Sequence, residues 1–350
     1  MTETLETVAR QHALFGFDEA WLARHREPLI DPDLPIIDPH HHLWDRGNHY
    51  LFDEFSADIA TGHNILGSVF VQCDEMYRAD GNPDFAPLGE TEFVNGVAAM
   101  SASGRYGSAR VCSGIVGAVD LQLGAHVEPV LEAHLRAAGE RFRGIRGRSV
   151  WDADQTIKGS GRDFPPGLLL DTRFRDGFAR LQRYRLSFDA WVFHPQIPEL
   201  TDLAGAFPET AIVLDHIGAP LAIGVYTGRR EEVFATWRRN MAELARRPNV
   251  VVKLGGLGMH LFGFDLDAGH RPAPAPSEQL AVLWRPYLES CIELFGARRC
   301  MFESNFPVDK RSTSYPVLWN AFKRVAAGYS QAEKTALFHD TARRVYRLPI

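Results

Sequence analysis

Three consecutive histidines sit in the stretch IIDPHHHLWD at residues 36–45, directly behind two isoleucines. In an extended chain, residues two apart point the same way, so His40 and His42 can converge while His41 faces away. Two further histidines follow apolar runs, His194 in DAWVFHPQ and His216 in IVLDHIGAP. A lone histidine at the end of a strand is usually structural. Four at such ends, two of them in an i, i+2 pair, point to a shared site. Neutral imidazole is a common metal ligand and a general base near neutral pH.

Other polar residues end apolar runs in the same way. Arg146 closes FRGIR, where it can clamp a substrate carboxylate or make a structural ion pair. Lys253 closes VVVK, where it can polarise a carbonyl or form a salt bridge inside the fold. Gln196 and Gln72 are strand-end hydrogen-bond formers. The stretch FESNFPVD brings Glu303, Asn305 and Asp309 together. Glu303 shares a strand face with Asn305, ~6–7 Å deeper at ~3.3 Å per residue. A carboxylate facing inward is costly unless it is paired or metal-bound. Glu303 is therefore either a functional acid or one half of an ion pair. Asp309 either reaches in from above or is a solvated loop acid paired with Lys310. Asp38 is a candidate to orient the first histidines or a strand-end turn former. Asp215, next to His216, is expected to face away from it. Trp44, Trp151 and Trp191 are candidates to wall the pocket.

These residues need a frame that brings strand ends together. Eight short apolar runs occur, at 36–38, 67–73, 111–119, 142–146, 186–193, 211–215, 249–255 and 300–304. They are rich in β-branched residues and mostly do not alternate, as expected for strands covered on both faces. Helical segments such as VEPVLEAHLRAAGERF lie between them. Eight strand–helix repeats predict an α/β fold, a (β/α)8 TIM barrel at 36–350, with an N-terminal extension at 1–35 that could reach a neighbouring subunit. A doubly wound sheet is the rival, but no GxGxxG or GxxxxGK[ST] follows any run. DEAWLARHRE predicts a short helix in the extension, and Ser330 with Glu333 predicts a capped helix near the end. Long loops at 74–95, 151–170 and 256–278 fall on the strand-to-helix side, where barrels build sites.

Composition narrows the partners. The chain has 350 residues, 45% hydrophobic and 23% charged, with a net charge of -6. That balance carries no footprint for nucleic acid. No run approaches the ~18 apolar residues of a membrane span. The four cysteines form no CxxC pair, and the first residues lack a basic-then-apolar leader, so a cytoplasmic location is expected.

Asp38-Pro39-His40-His41-His42 resembles the D-x-H-x-H opening of the amidohydrolase superfamily. FRGIR, DHIGAP and ESNFPVD are similar to markers of its amidohydrolase-2 branch, which includes sugar-acid and dicarboxylate lactonases and decarboxylases. The resemblance spans about 34–348 and implies a TIM-barrel hydrolase. It implies His40, His42 and His194 as metal ligands, and His216 as a residue that binds metal or polarises substrate. Zn²⁺ suits such a set and Mn²⁺ is an alternative. Some lactonases of this branch work without metal, so a metal-free route stays open. The pattern S-D-[WFY]-P, which supplies the proton-shuttling aspartate, reads Ser304-Asn305-Phe306-Pro307 here. An amide cannot take up a proton at neutral pH, so Glu303, Asp309 or His216 must move it. Gly147 stands where many relatives carry a histidine, which implies one site contact fewer. The expected activity is opening of a lactone or related ester or amide bond in a small carboxylated or sugar-acid substrate. Alternatives are a metal-dependent decarboxylase of an aromatic or unsaturated acid and a catalytically inactive binding protein. A homo-oligomer is compatible with the sequence.

Overall fold

The computed structural model describes residues 16–158 and 164–350. Eight parallel strands form a nearly closed barrel in chain order: β1 (Ile36–His41), β4 (Ile65–Val71), β5 (Arg110–Gly117), β6 (Phe142–Arg148), β7 (Ser187–Trp191), β8 (Ile212–Leu214), β9 (Val250–Leu254) and β10 (Cys300–Phe302). A short hairpin, β2 (Trp44–Arg46) with β3 (Asn48–Tyr50), follows the first strand. Each of the eight apolar runs contains a barrel strand. The rival doubly wound sheet is thereby excluded.

The barrel closes through the chain just beyond β10 rather than through β10 itself. His41 bridges to Phe306, the Asn305 N–H donates to His40 O at 2.9 Å, and the His42 N–H donates to Phe306 O at 2.7 Å. Asp38 clasps this seam. Its carboxylate accepts from the Ser304 N–H at 3.0 Å and the Tyr315 hydroxyl at 3.0 Å, and burial lifts its pKa to about 6.

Inside the barrel, Ile37, Val69, Val71, Val116, Val213, Val251 and Met301 form an apolar floor. Ala342, Val345, Tyr346 and Leu348 plug it from below. The Tyr346 hydroxyl passes through this floor and donates to Asp189 Oδ2 at 2.5 Å. Polar residues thus begin one layer above the floor, which matches the layered filling of such barrels. A shift of register between Asp38 and His41 turns His40, as well as Ile37, inward.

The described part of the N-terminal extension packs on its own chain. Its helix, Glu19–Leu22, is capped by Asp18, Trp21 Nε1 donates to Arg271 O at 2.9 Å, and Glu27 accepts from Asn320 at 2.7 Å. Residues 16–35 therefore pack against this barrel. Residues 1–15 lie outside the described part. The Ser330–Glu333 capping box is present as expected. Among the described residues, no helix is long and apolar enough to cross a membrane.

Tyr346→Phe is expected to lower the unfolding free energy by about 1–3 kcal/mol, because a buried carboxylate loses a hydrogen bond. Urea titration would read this as a lower midpoint at constant slope. An unchanged midpoint would mean that Lys253 and the Ser187 hydroxyl satisfy Asp189 without it.

Candidate active site

The layer above the floor is a buried ion cluster. Lys253 Nζ, with no solvent exposure, donates to Asp189 at 2.7 Å and Asp215 at 3.1 Å and lies 3.1 Å from His40 Nδ1. The other oxygen of Asp215 accepts from Arg146 Nε at 3.1 Å. Arg146 also donates to Gln72 O at 3.2 Å and approaches His216 Nε2 at 3.5 Å. Asp189 was not evident from sequence, although an acid inside LSFDAWVF was the available signal.

Asp215 does not face away from His216 as strand alternation predicts. The strand ends at Leu214, and His216 and Ile217 adopt left-handed backbone with φ of 52° each. That turn brings both Asp215 and His216 into the barrel mouth. His41 does face outward, stacked on Phe55 and bonded to Ser68 Oγ at 2.9 Å.

Glu303 joins two imidazoles. Its Oε1 lies 2.6 Å from His216 Nδ1 and also accepts from the His216 backbone N–H at 3.2 Å. Its Oε2 is 2.9 Å from His40 Nδ1 but off the hydrogen-bonding direction, so this buried oxygen has no aligned partner. The His216 Nδ1–H donates to the carboxylate, which leaves the Nε2 lone pair facing the mouth. Burial pushes the His216 pKa down to about 3, with the positive Arg146 and Lys253 adding to the effect against Asp215. His40 is held down to about 4, first by burial and then by Lys253. Both rings are neutral at physiological pH.

Two glycines make room for this pair. A Cβ on Gly256 would fall 2.7 Å from His216 Nδ1, and one on Gly255 would fall 2.3 Å from Glu303 Cγ. Gly256 also holds φ of 72°, a region that suits glycine. Sequence reading placed this loop at the site without identifying that reason.

His40 and His42 approach Nε2 to Nε2 at 3.3 Å. The His42 Nδ1–H donates to Val71 O at 2.7 Å, so its Nε2 lone pair faces His40. With Lys253 donating to His40 Nδ1, the His40 Nε2–H donates to His42 Nε2; the ~3.3 Å spacing is also that of two nitrogens held at ~2.0–2.1 Å by one tetrahedral cation, which would take the place of that proton. Glu303 Oε2 lies beside His40 Nδ1, the other ring nitrogen. Among the described residues, the one close group of potential ligands is His40, His216 and Glu303.

His194 stands outside that group. The Leu221 N–H donates to its Nδ1 at 3.3 Å, so a neutral ring carries its proton on Nε2 as a donor. Burial lowers its pKa to about 4. That tautomer suits a hydrogen bond to substrate better than ligation. Gln196 is also differently employed. Its Oε1 accepts from the Trp151 and Phe193 N–H groups, and its Nε2 donates to Ser149 O at 2.7 Å. It splints two loops rather than reaching substrate. Lys253 likewise lies beneath His40, with no exposed surface to touch a carbonyl.

Asn305 has φ of 55° and donates through Nδ2 to Asp309 Oδ1 at 3.0 Å. Asp309 is not a solvated loop acid. It is buried, accepts from the Gly258 N–H at 3.0 Å, and burial lifts its pKa to about 8. Lys310 pairs instead with Asp58 at 2.9 Å and Glu19 at 2.8 Å. A Cβ on Gly147 would meet Phe188 at 2.0 Å, so this position faces the outer core and no side chain fits. Trp191 sits edge-on to His216 at 4.7 Å, and Trp44 stacks on His42 at 5.7 Å.

The loop beyond β4 is pinned by buried Glu90, whose Oε1 accepts from the Cys73 and Glu75 N–H groups at 3.0 and 2.9 Å. It carries Asp74, which pairs with Arg148 at 2.6 Å.

Comparison with known proteins supplies the remaining findings. A family model described as Amidohydrolase matches residues 37–348. The chain is 33% identical over 339 residues to the uncharacterized protein y4mH of Sinorhizobium fredii, covering 90% of this chain and 99% of that one. It is 31% identical over 236 residues to an L-fucono-1,5-lactonase of Burkholderia multivorans, covering 67% and 71% of the two. A crystal structure of an amidohydrolase from Burkholderia multivorans with bound zinc matches with a TM-score of 0.68 at 27% identity, covering 90% of this chain and 99% of that one.

Gly256→Ala is expected to destabilise the protein by about 1–3 kcal/mol through backbone strain and the clash with His216. Gly96→Ala, where nothing lies within 4 Å, is expected to stabilise by up to about 1 kcal/mol as a helix substitution. Denaturant midpoints of the two variants would test the contrast. Burial raises Glu90 from its ordinary 4.5 to about 7. The folded state thus binds the proton more tightly, so this group's stabilisation is full below about pH 4.5 and is lost as pH rises to about 7. Glu90→Gln should flatten that decline relative to wild type in stability measured from pH 4 to 8. Parallel curves would show that Glu90 ionises normally.

Proposed function

The chain belongs to the amidohydrolase family and is a hydrolase of that superfamily; on that premise we propose that it opens the ring ester of a sugar-acid lactone by attack of water. The observation that carries this reading is the Glu303–His216 pair, an imidazole backed by a buried carboxylate at 2.6 Å. The relative named L-fucono-1,5-lactonase supports the substrate class.

His216 Nε2 accepts a proton from the attacking water, and Glu303 stabilises the imidazolium that forms, the division of labour of a histidine–carboxylate pair. The His194 Nε2–H donates to the carbonyl oxygen as it gains charge. The ester C–O bond breaks, and the departing alkoxide needs a proton. Asp309, protonated up to about pH 8, supplies it, and Asn305 holds that carboxyl in place. Arg146 faces the mouth beside His216 and is the residue to orient a polar substrate. His40 and His42 are the residues that would hold a divalent cation, through the Nε2 atoms that face each other. When bound, Zn²⁺ or Mn²⁺ would acidify water and polarise the carbonyl.

Wild type is expected to release one proton and no CO₂ per 1,5-lactone of a deoxy sugar acid opened, read with a pH indicator. Glu303→Gln should lower kcat by about 10²- to 10⁴-fold, the usual worth of proton transfer. Full activity in that variant would remove the pair from the mechanism, and CO₂ release would favour the decarboxylase reading. Metal analysis of protein purified without chelator should find about one equivalent if the two histidines act as ligands. Loss of that metal in His42→Ala but not in His194→Ala is the expected pattern.

A further inference from the structure

The opposite end of the barrel carries a second built cavity of about 400 Å³, lined by the starts of β5 and β6 and the helix ends beside them. Its apolar lining comes from Ala98, Ala102, Val111, Ala138, Pro349 and Ile350. Its polar lining comes from Arg110, Arg141 and Arg143 with Ser113 and one acidic side chain, Glu140. None of these residues belongs to the site at the barrel mouth.

The arginines have poor company. Arg143 is only 9% exposed, yet its Nε makes no hydrogen bond. Its one ionic partner is Glu140 at 3.1 Å, whose side chain is 97% exposed and therefore screened by water. Arg141 donates to the neutral Asn95 at 2.7 Å and Arg110 to Ser108 O at 2.9 Å. Arg347, half-buried nearby, is repelled by Arg143 and Arg185, and its pKa is lowered by burial and by both. The Arg143 Nε is itself closed to the cavity, but a largely buried guanidinium among like charges, with one water-screened carboxylate for a partner, is costly unless an anion joins it.

We propose that this cavity is a binding site for a small organic anion, with the carboxylate held by Arg143, Arg141 and Arg110 and an apolar body against the apolar lining. Guanidinium forks match a carboxylate in two hydrogen bonds, and the apolar lining selects an organic acid over an inorganic ion.

Benzoate is the probe, with benzamide as its neutral counterpart and inorganic phosphate as an ion without an apolar body. Calorimetry and thermal unfolding on the full chain should show saturable benzoate binding, with a concentration-dependent rise in Tm. Benzamide should give none, and phosphate should bind at least about tenfold more weakly. Arg143→Gln should weaken benzoate by at least about tenfold, since a hydrogen-bonded charge is lost. Arg110→Gln, a change at a partly exposed residue, gives a second reading if Arg143→Gln does not fold. His216→Asn, at the barrel mouth, should leave benzoate binding intact, and lactone turnover should be unaffected by Arg110→Gln. No saturable benzoate binding would overturn the proposal. So would binding that survives Arg143→Gln and Arg110→Gln together, or that disappears in His216→Asn. Equal affinity for phosphate and benzoate would reject the organic-anion class.

Discussion

Everything at the barrel mouth rests on how Lys253 is neutralised. It sits with Asp189, Asp215 and Glu303 where water has no access, and Arg146 adds a second positive charge at the rim. Isolated, each of these ions would cost several kcal/mol to bury. They are tolerable only as a connected set, three carboxylates against two cations. Glu303 lies between His40 and His216, with an aligned partner on one carboxylate oxygen and none on the other. The same cluster keeps the imidazoles unprotonated, because burial and Lys253 both disfavour a charge on His40.

The backbone departs from ideal geometry where the cluster needs it to. Ile37 and His40 both face inward because β1 shifts register between Asp38 and His41. Left-handed residues at His216, Ile217 and Asn305 end their strands abruptly and turn consecutive side chains into one space. Gly255 and Gly256 let the neighbouring chain pass against Glu303 and His216 without a side chain between them. These are local conformations that cost energy, and they cluster around the residues with proposed chemistry.

This explains what could be read from the residues and what could not. The strands were legible because β-branched apolar runs have few other uses in a chain of this composition. The outward turn of His41 relative to His40 and His42 followed from alternation. Asp215 did not, since the strand stops before it, and no rule of period two reaches past a left-handed residue. Asp189 escaped because its partners, Lys253 and Tyr346, lie 64 and 157 residues away in sequence. The tautomer of His194 and the backbone bonds of Gln196 are set by loops whose paths leave no periodic trace.

Asn305 changes where an acid can act, not whether one is present. A carboxylate at its position would stand just beyond the end of β10, in a buried place. Glu303, capped by His216, has no direct line to the mouth. On the proposed reading it must work through the imidazole, so the proton-accepting atom becomes His216 Nε2. The asparagine then has a different use, since its amide N–H binds Asp309 and closes a second acid into a buried place. Burial keeps that acid protonated near neutral pH. On that same proposed reading, an asparagine at 305 leaves two duties to two other residues: the base works through His216, and the proton donor is Asp309.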